Sequence, residues 1–567
     1  MIDIKKIFPY EIADKYSKPV AYFSMEFAID QTLKIYSGGL GFLAGSHLRS
    51  AYELKQNFVG IGILWKYGYY DQERNKDGTM KVSFIEKNYS FLTDTGITFD
   101  ISVNNYPVKV KAWMLNPEIF KTAPLFLLST DLPENDFMSQ AICHRLYDFN
   151  EPARIAQSIL LGTGGGKLLD ILNRNTEAYH LNEGHGLPLC FYLLDKYKSL
   201  EEVRRRVVFT THTPEKAGNE QRTIAGLEIM SFFNNADKDV VKNLAAPDKQ
   251  NFNYTLGTLR MSRIANGVSK MHGEVSRNMW SHYDDICPII HITNAQNRSF
   301  WMDAEIAKHY EEGNDYGLAQ RKKAMKRELF HVVADQTGKR FDENVLTIVW
   351  ARRFAAYKRA NLLLRDFGRF MKIINNAKFP VQVIWAGKPY PEDEEAINIF
   401  NNIYWQIKQL PNCAILTGHE MHLSGLLKKG SDLWLNTPRI FHEAAGTSGM
   451  TAAMNGSINL SIPDGWVPEF AKNGENCFLI SAASASANAE EQDNTESNNL
   501  YNLLEKDVIP TYYQQPELWH KIIRQAINDI SIDFNSNRMA REYYELLYLD
   551  TGKSRSEQKV LAGKAFN

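Results

Sequence analysis

Two stretches in the second half of the sequence carry residue types suited to holding an anion. In the first, VLTIVWARRFAAYKRA (residues 345–360), an apolar strand-like run is followed directly by Arg352 and Arg353, and then by Lys358 and Arg359. Open α/β sheets bind ligands at the carboxyl ends of their parallel strands, so cations in this position suit an anionic substrate. A basic helix face would explain the same residues.

The second stretch is FHEAAGTSGMTAAMNG, residues 441–456. The small side chains of AAGTSG would let backbone N–H groups approach an anion, and the residues after them are good helix formers. A helix opening there would aim its first N–H groups at whatever lies above Gly446–Ser448. A plain strand-to-helix connection fits equally well. The stretch contains no lysine, and none occurs between Lys429 and Lys472.

Two glycine-containing turns in the first half could also contact a ligand. YSGGLGFLAGSHLRSA (residues 36–51) is a loop that leads into a helix. It lacks the G-x-G-x-x-G spacing, which disfavours a nicotinamide cofactor but leaves close backbone approach to a sugar or phosphate open. HLNEGHG (residues 180–186) follows a strand-like run and offers Glu183 and His185 for polar contact with a ligand.

Two other motifs fail the tests for nucleotide and metal sites. GTGGGK (residues 162–167) is preceded by Leu161 and followed by Leu168, where a phosphate-binding loop needs Gly and Ser or Thr, so we interpret it as helix packing. GHEMH (residues 418–422) spaces its histidines three apart rather than four, with no third ligand in view. We therefore expect no metal.

Short apolar runs alternate with helical patterns along the chain, which predicts an α/β fold with parallel sheets covered by helices. The runs are PVAYFSM (19–25), VVFTTHT (207–213), VLTIVWA (345–351), VQVIWAG (381–387), CAILTG (413–418) and DLWLN (432–436). An antiparallel hairpin with an Asp77-Gly78 turn is expected within residues 63–87.

The polar helical segment 315–344 precedes a fresh series of strands, so we place a domain boundary within it. The predicted domains are 1–330, with the early hairpin, and 331–567. The basic run 321–327 reads as a solvated helix face. The Ala/Ser/Asn/Glu-rich segment 481–499 is predicted to be a mobile surface loop.

The composition excludes several classes of partner. With 65 basic and 66 acidic residues the formal charge is -1, so no overall field attracts nucleic acid or an anionic membrane. Five scattered cysteines fit buried thiols in a reducing compartment. The N-terminal segment lacks the apolar run of a signal peptide, and no later run reaches membrane-spanning length. We expect a soluble cytoplasmic protein without nucleic-acid or membrane partners, and leave a homo-oligomer open.

The motifs above belong to an ordered series that extends to about residue 480. The series is YFSMEF (22–27), IYSGGLGFLAGSHL (35–48), LNEGH (181–185), FTTHTP (209–214), NGVSKMHGEVSRNMW (266–280), ARRFAAYKRA (351–360), AGKPYP (386–391), DLWLNTP (432–438) and EAAGTSGM (443–450). Together these segments resemble the α-glucan phosphorylases, in the shorter bacterial form. The resemblance implies a GT-B fold, with two Rossmann-like domains facing a cleft and C-terminal helices crossing back. It also implies phosphorolysis of α-1,4-glucan by orthophosphate to glucose 1-phosphate, with pyridoxal phosphate as cofactor.

The resemblance further implies roles for single residues. The positions that match substrate contacts are Gly39 and Leu40 (glucosyl and phosphate), Glu183 and His185 (acceptor glucan), and Asn294 and Tyr357 (sugar hydroxyls). The positions that match the catalytic group are Arg353 and Lys358, which hold the reacting phosphate, and Glu443, which contacts the sugar. The positions that match the seat of the cofactor's 5'-phosphate are Arg352, Thr447 and Ser448.

One departure from the family pattern concerns the cofactor. Thr451 occupies the position of the lysine that forms an imine with pyridoxal phosphate. Because a hydroxyl cannot make that imine, the cofactor would be bound without a covalent tether, or not at all. The segments KAGNEQR (216–222) and TNAQNRSFW (293–301), beside the expected cleft, also depart from the pattern.

Three functions follow as hypotheses. The first is a retaining glucan phosphorylase with untethered pyridoxal phosphate. Two dianions about 5 Å apart repel by roughly 3 kcal/mol per unit charge pair at an effective dielectric of 20, and the cation cluster that would offset this is intact. The second is a nucleotide-sugar glycosyltransferase that uses no pyridoxal phosphate. The third is a non-catalytic homologue that binds glucan. A hydrolase is disfavoured because it needs two carboxylates, and only Asp464 or Glu183 could join Glu443.

Overall fold

The computed structural model describes residues 7–215, 218–245 and 250–549. The strands of these residues are, in chain order, β1 (Val20–Phe23), β2 (Phe58–Ile63), β3 (Asp71–Arg74), β4 (Met80–Ser83), β5 (Thr93–Val103), β6 (Tyr106–Leu115), β7 (Leu125–Ser129), β8 (Ala178–Asn182), β9 (Val207–Thr210), β10 (Gln221–Thr223), β11 (Asn251–Asn253), β12 (Ile264–Gly267), β13 (Ile289–His291), β14 (Leu346–Ala351), β15 (Val381–Ala386), β16 (Cys413–Leu416), β17 (Leu433–Asn436), β18 (Ile458–Ser461) and β19 (Cys477–Leu479).

The α-helices of the same residues are α1 (Gly39–Glu53), α2 (Pro117–Phe120), α3 (Phe137–Ala141), α4 (Glu151–Ile159), α5 (Gly165–Ile171), α6 (Pro188–Tyr197), α7 (Leu200–Arg206), α8 (Ile224–Ile229), α9 (Lys238–Leu244), α10 (Tyr254–Met261), α11 (Lys270–Trp280), α12 (Arg298–Trp301), α13 (Ala304–Glu311), α14 (Asp315–Thr337), α15 (Phe367–Ile374), α16 (Glu394–Ile407), α17 (Met421–Gly430), α18 (Ser448–Met454), α19 (Val467–Phe470), α20 (Ala489–Leu503), α21 (Ile509–Gln514), α22 (Pro516–Asp533) and α23 (Ser536–Glu542).

The first of two compact units contains the described residues up to Tyr69, then Phe84–Asn294 and those from Ser536 onward. Its sheet has the strand order β13-β12-β9-β8-β1-β2-β7-β6-β5. The strands from β13 to β7 are parallel neighbours, whereas β7, β6 and β5 pair antiparallel. α23 packs on α1, where the Ser536 and Ser50 hydroxyls lie 2.6 Å apart. The last helices of the chain therefore belong to the unit in which the chain begins.

The second unit contains Tyr70–Ser83 and Ala295–Asn535. Its sheet has the order β16-β15-β14-β17-β18-β19, and every neighbouring pair is parallel. β14 and β15 are buried along their whole length, as expected for apolar strands covered by helices on both faces. α17 and α18 cover one face of this sheet, because their leucine and alanine side chains share a buried cluster with Trp434 of β17.

The structure confirms the predicted α/β class with parallel sheets, and each of the six apolar runs forms a strand. The predicted hairpin is β3–β4, with Gly78 in the left-handed region at φ 89°. A longer hairpin, β5–β6, was not predicted. Its turn is Asn104-Asn105, and both residues have positive φ, as the tight turns favoured in hairpins require.

Three expectations need correction. The border between the units follows Asn294, whereas the sequence placed it at residue 330. The β3–β4 hairpin belongs to the second unit rather than the first. There Gln72 Nε2 donates to the Gly387 carbonyl at 2.8 Å. Segment 481–499 is largely not a loop, because a capping box formed by Asn488 and Glu491 starts α20 there. The basic run in α14 is not simply a solvated face, since Lys322 and Lys326 are buried and hydrogen-bonded.

Candidate active site

A carboxylate and two cations meet at the carboxyl edge of the second sheet. Arg352 and Lys358 follow β14, and Glu443 lies in the connection between β17 and α18. Lys358 Nζ donates to Glu443 Oε2 at 2.8 Å and to Oε1 at 3.1 Å, and Arg352 Nη1 lies 3.3 Å from Oε2. Parallel strands end at one edge of their sheet, so residues 85 positions apart in sequence come together.

The local charges decide how Glu443 titrates. Burial raises the pKa of Glu443, but Lys358 and Arg352 outweigh burial and hold that pKa below its usual value. Asp464 accepts the backbone N–H groups of Glu443 at 2.9 Å and Gly465 at 2.8 Å. Burial raises the pKa of Asp464 to about 6. Asp464 therefore anchors the backbone that presents Glu443.

The turn after Glu443 leaves space beside Arg352. Gly446 has φ 80°, and a Cβ at this position would lie 3.0 Å from Arg352 Nη2 and 3.1 Å from Glu443 Cγ. Arg352 is buried, and its Nε donates no hydrogen bond to any described residue, while Nη1 makes only the ion pair with Glu443. Buried donors normally find acceptors, so the guanidinium group fits a ligand with phosphoryl oxygens. A phosphate such as that of pyridoxal phosphate fits the residues present.

The residues predicted for the cofactor seat continue into α18. Thr447 precedes this helix and Ser448 is its first residue, where the Ser448 hydroxyl accepts from Trp434 Nε1 at 3.3 Å. Thr451 lies one turn later and is buried, with its hydroxyl donating to the Ser448 carbonyl at 3.0 Å. The predicted helix start is therefore confirmed, and the Thr451 hydroxyl serves the helix backbone.

The other residues of the basic stretch, Arg353, Tyr357 and Arg359, have different surroundings. Arg353 is exposed, but its charge contributes to the lowered pKa of Glu443, after burial and the charges of Lys358 and Arg352. Tyr357 is half-buried, with Lys358 Nζ 5.1 Å from its ring centre. Arg359 is a structural residue rather than part of an anion site: it is buried, pairs with Glu496, and donates to the Thr437 carbonyl at 2.9 Å.

In the first unit, Glu26 holds the glycine-rich loop. Its Oε2 accepts the backbone N–H groups of Ser37 at 2.6 Å and Gly38 at 3.1 Å, and its Oε1 accepts the Tyr147 hydroxyl at 2.8 Å. Burial raises the pKa of Glu26, and these hydrogen bonds offset only part of that effect. The predicted residues Gly39 and Leu40 follow directly as the first residues of α1.

Tyr147 connects this loop to the turn after β8. The ring of Tyr147 lies 5.6 Å from the ring of His185, and the backbone of Tyr147 has φ 58°. Glu183 accepts the His212 backbone N–H and, at 3.0 Å, the Thr213 hydroxyl. Burial raises the pKa of Glu183, because these bonds only partly compensate for it. Burial also lowers the pKa of His185 to about 4, so its ring is neutral at neutral pH.

Among the predicted substrate contacts of this unit, His185 Nδ1 and Asn294 Oδ1 are buried and make no hydrogen bond with any described residue. The Asn294 backbone N–H donates to the Val268 carbonyl at 2.9 Å, which fixes the position of the side chain at the end of the unit. Unsatisfied buried polar atoms often mark positions where a ligand supplies the missing partner. The resemblance predicts that Asn294 contacts a sugar hydroxyl and that His185 lies near the acceptor glucan.

Comparison with known proteins assigns the chain to a family. The family model described as carbohydrate phosphorylase matches residues 305–509. The maltodextrin phosphorylase of Thermococcus litoralis is 36% identical over 595 residues, covering 94% of this chain and 71% of that protein. The chain belongs to the carbohydrate phosphorylase family, a family of glycosyltransferases.

Two further relatives cover most of the chain. The glycogen phosphorylase of Aquifex aeolicus is 31% identical over 607 residues, covering 94% of this chain and 87% of that protein. An uncharacterized protein of Methanocaldococcus jannaschii is 47% identical over 532 residues, covering 94% of this chain and all of that protein. The resemblance inferred from the ordered motifs is therefore confirmed at the level of the family.

Two searches of the described residues were negative. They contain no cluster of three or more His, Cys, Asp or Glu side chains able to hold a metal ion. Among their helices, none combines the length and apolar character needed to cross a lipid bilayer.

Sequence reasoning missed Glu26, Tyr147 and the anchoring role of Asp464. Glu26 is within YFSMEF and could have been noticed as a carboxylate in an apolar strand pattern, since buried acids need partners. Tyr147 carries no local signal, because its role depends on where the chain brings it. Residues 216 and 217 of the KAGNEQR segment lie outside the described residues.

Proposed function

We propose that this protein transfers a glucosyl group from an α-1,4-glucan to orthophosphate and releases glucose 1-phosphate. The observation that carries the proposal is the cluster of Arg352, Lys358 and Glu443 beside the Gly446 turn, in which Arg352 Nε donates no hydrogen bond to any described residue. Family membership supports the same reaction class, since the relatives from Thermococcus litoralis and Aquifex aeolicus are phosphorylases.

The chain's own residues act mainly by holding phosphate. Lys358 and Arg353 bind the substrate phosphate, while Arg352, Thr447 and Ser448 bind a second phosphate, that of pyridoxal phosphate. When bound, the cofactor would supply a phosphate group able to donate and accept a proton beside the substrate phosphate. Fixed cations in a water-poor site stabilise such adjacent negative charges far better than solvent does.

Glu443 keeps the cations in position before the ligand arrives. Two cations close together repel, and the carboxylate between them offsets this repulsion. On binding, phosphoryl oxygens would replace part of that contact, and Glu443 would turn to a sugar hydroxyl. Tyr357 and Asn294 would contact other sugar hydroxyls.

The first unit would contribute the glucan side of the site. We propose that the loop at Gly39 and Leu40 lies against the glucosyl group, and that Glu183 and His185 contact the acceptor glucan. This requires the GT-B arrangement, in which the two units face a common cleft. Thr451 cannot form the family's imine, so this position would leave the cofactor untethered.

The test is to purify the full chain, record its absorbance for the pyridoxal chromophore before and after adding pyridoxal phosphate, and assay glucose 1-phosphate release from maltodextrin and orthophosphate. We expect release that depends on added cofactor. Absence of both cofactor binding and release under every condition would refute the proposal. Thermal stabilisation by a nucleoside diphosphate, with none by pyridoxal phosphate, would favour a nucleotide-sugar transferase instead. Maltodextrin binding without release would indicate a non-catalytic homologue.

A further inference from the structure

A pocket in the second unit is lined by residues outside the cluster around Glu443. Its volume is about 220 Å³, which is roughly fifteen times the space that one bound water needs. Three elements border it: the stretch that follows β14, the C-terminal part of α16 and the N-terminal part of α20. None of the residues that line it was predicted from the sequence to contact substrate or cofactor.

The charged groups around the pocket are paired with one another. Arg359 Nη1 donates to Asp493 Oδ1 at 3.0 Å, and the same guanidinium group pairs with Glu496. Arg439 Nη2 also lies 3.0 Å from Asp493 Oδ1, and Arg365 Nη1 lies 3.8 Å from Oδ2. Because Asp493 already pairs with these guanidinium groups, an anionic ligand would lie beside a carboxylate and be repelled by it. The charges therefore favour a neutral ligand.

Two neutral amides complete the polar lining. Asn361 lies in the turn that follows Arg359, and Gln406 is the last residue but one of α16. Both residues are exposed, and neither amide group makes a hydrogen bond with another described residue. Each amide offers donors and an acceptor, which matches a ligand whose hydroxyl groups both donate and accept. The polar lining therefore suits a neutral molecule with several hydroxyl groups.

Leu362 and Leu364 supply the apolar lining. Both residues are buried, so only a small part of each side chain borders the pocket. Leu364 belongs to the core cluster of this unit, and the Leu362 carbonyl accepts the Ser497 hydroxyl of α20 at 3.3 Å. Ligand sites commonly combine an apolar lining with a few polar groups that fix orientation. A sugar ring, with C–H faces between its hydroxyl groups, has this combination of surfaces.

The turn that carries Asn361 is held in place before any ligand binds. Arg359 has φ 49°, and its Nε and Nη2 donate to the carbonyls of Thr437 at 2.9 Å and Pro438 at 2.8 Å. Trp385 Nε1 donates to the Ala360 carbonyl at 2.9 Å. A lining that is already ordered lowers the entropy that binding costs.

We propose that this pocket binds one hexose unit of a carbohydrate, as a second carbohydrate site apart from the candidate active site. Asn361 and Gln406 hydrogen-bond to its hydroxyl groups, Asp493 accepts from a hydroxyl, and Arg365 donates to a sugar oxygen. The unit comes from a free sugar or from a glucan chain, which offer the same chemistry. The inference goes beyond the proposed function, because it holds whether or not glucose 1-phosphate is released.

Hydrogen exchange on the full-length wild-type protein locates the bound sugar. Exchange at residues 359–366 and 402–410 is followed with glucose, with maltotriose and with orthophosphate. We expect slower exchange in both segments with at least one of the two sugars, because a ligand that contacts both opposes their local opening. Protection by glucose alone would identify a free hexose as the ligand, and protection by maltotriose alone a unit within a glucan chain.

Two other outcomes would overturn the inference. One is protection by orthophosphate, or by nothing, without protection by either sugar. The other is sugar protection confined to 359–366, because that segment follows Lys358 directly and would then report binding at the candidate active site.

Variants of the two amides give an independent check. Asn361→Ala combined with Gln406→Ala changes exposed residues only, so the fold should persist. The apparent Kd of the protecting sugar, measured from exchange at 402–410, should rise at least about fivefold because two hydrogen bonds are lost. Asn402→Ala is the matched control, since Asn402 is an exposed amide of α16 one turn before Gln406, and it should keep the wild-type Kd. An equal Kd in the double variant and wild type would refute the inference.

Lys358→Met separates this inference from the proposed function. This variant should lose glucose 1-phosphate release from maltodextrin and keep sugar protection at 402–410. Loss of that protection would place the sugar in the candidate active site and contradict the inference. Wild-type protein that shows the protection but releases no glucose 1-phosphate under any condition would contradict the proposed function and leave the second site standing.

Discussion

Lys358 Nζ lies 2.8 Å from Glu443 Oε2, the same carboxylate oxygen that Arg352 Nη1 approaches to 3.3 Å. One oxygen atom thus holds two cationic groups that would otherwise repel each other. A phosphoryl oxygen has the charge and size to take its place. Under the proposed function, this pair exchanges one anion for another, with the cations already in position.

Replacing Lys358 should remove phosphate-dependent activity. Lys358→Met deletes one cation of the pair, and loss of one such charge at a site that stabilises developing negative charge typically lowers kcat/KM by about 100-fold or more. Glucose 1-phosphate release from maltodextrin, at varied orthophosphate, measures this. Lys372→Met is the control, because Lys372 is an exposed residue of α15 in the same unit, and it should keep wild-type rates. Equal activity of both variants would contradict the assigned role of Lys358.

Gly446 offers a test of the space beside Arg352. Gly446→Ala should reduce cofactor and phosphate binding, because the new Cβ would lie 3.0 Å from Arg352 Nη2. Its positive φ adds a backbone cost of about 1–2 kcal/mol for any L-residue. Gly474→Ala separates the two effects, since Gly474 has φ 77° and no atom within 4 Å of its would-be Cβ. We expect similar losses in the free energy of unfolding from both variants, but a loss of binding only from Gly446→Ala.

Much of the fold could be predicted, because parallel strands buried on both faces appear as short apolar runs. VQVIWA and LTIVWA are examples, and their bounds agree with the structure to within a residue. Segment 481–499 was predicted wrongly because composition alone suggested a loop. Its charged residues in fact make specific contacts, since Asp493 and Glu496 pair with Arg359.

The candidate site was predictable where cations and small residues are contiguous in sequence. Arg352, Lys358 and Glu443 come together as expected from their positions after neighbouring strands. Arg359 is an arginine of the same stretch as Arg352, but its side chain is buried and pairs with Glu496. Nothing in the local sequence distinguishes Arg359 from Arg352. The anchoring of Glu443 by Asp464 could not be found from sequence, because the fold brings together two residues 21 positions apart.

Glu26 should control the order of the glycine-rich loop. Glu26→Gln replaces one acceptor oxygen by an amide that faces N–H and O–H donors, so at least one buried donor loses its partner, at about 1.5–3 kcal/mol. Tyr147→Phe removes only the hydrogen bond to Oε1 and should cost about 1 kcal/mol. Hydrogen exchange at residues 37–42 would report loop order. Unchanged exchange in Glu26→Gln would show that the loop is held by other contacts.

Asp303 should give the protein an acid-sensitive contact next to the Trp301 region. Burial raises the pKa of Asp303, but hydrogen bonds from Arg321 at 2.9 and 2.7 Å outweigh it and lower the pKa to about 2. The unfolded carboxylate binds protons more tightly than the folded one. Asp303 therefore contributes stability that is complete above about pH 4 and is lost as the pH falls through about 2.

Asp303→Asn should lower the free energy of unfolding at pH 7 by at most about 2 kcal/mol, and by less after allowance for solvent screening. Its unfolding free energy should also depend less on pH between about 4 and 2 than that of the wild type, as measured by urea unfolding. Glu305→Gln, at an exposed residue 3.8 Å from Arg321, is the control and should change stability by less than about 0.5 kcal/mol.

The Asp303 backbone N–H donates to Asn455 Oδ1 at 2.8 Å, and the Asn455 side-chain amide donates to the Trp301 carbonyl. Loss of the Asp303–Arg321 pair should therefore also loosen the segment that contains Trp301, which hydrogen exchange at residues 298–303 would report.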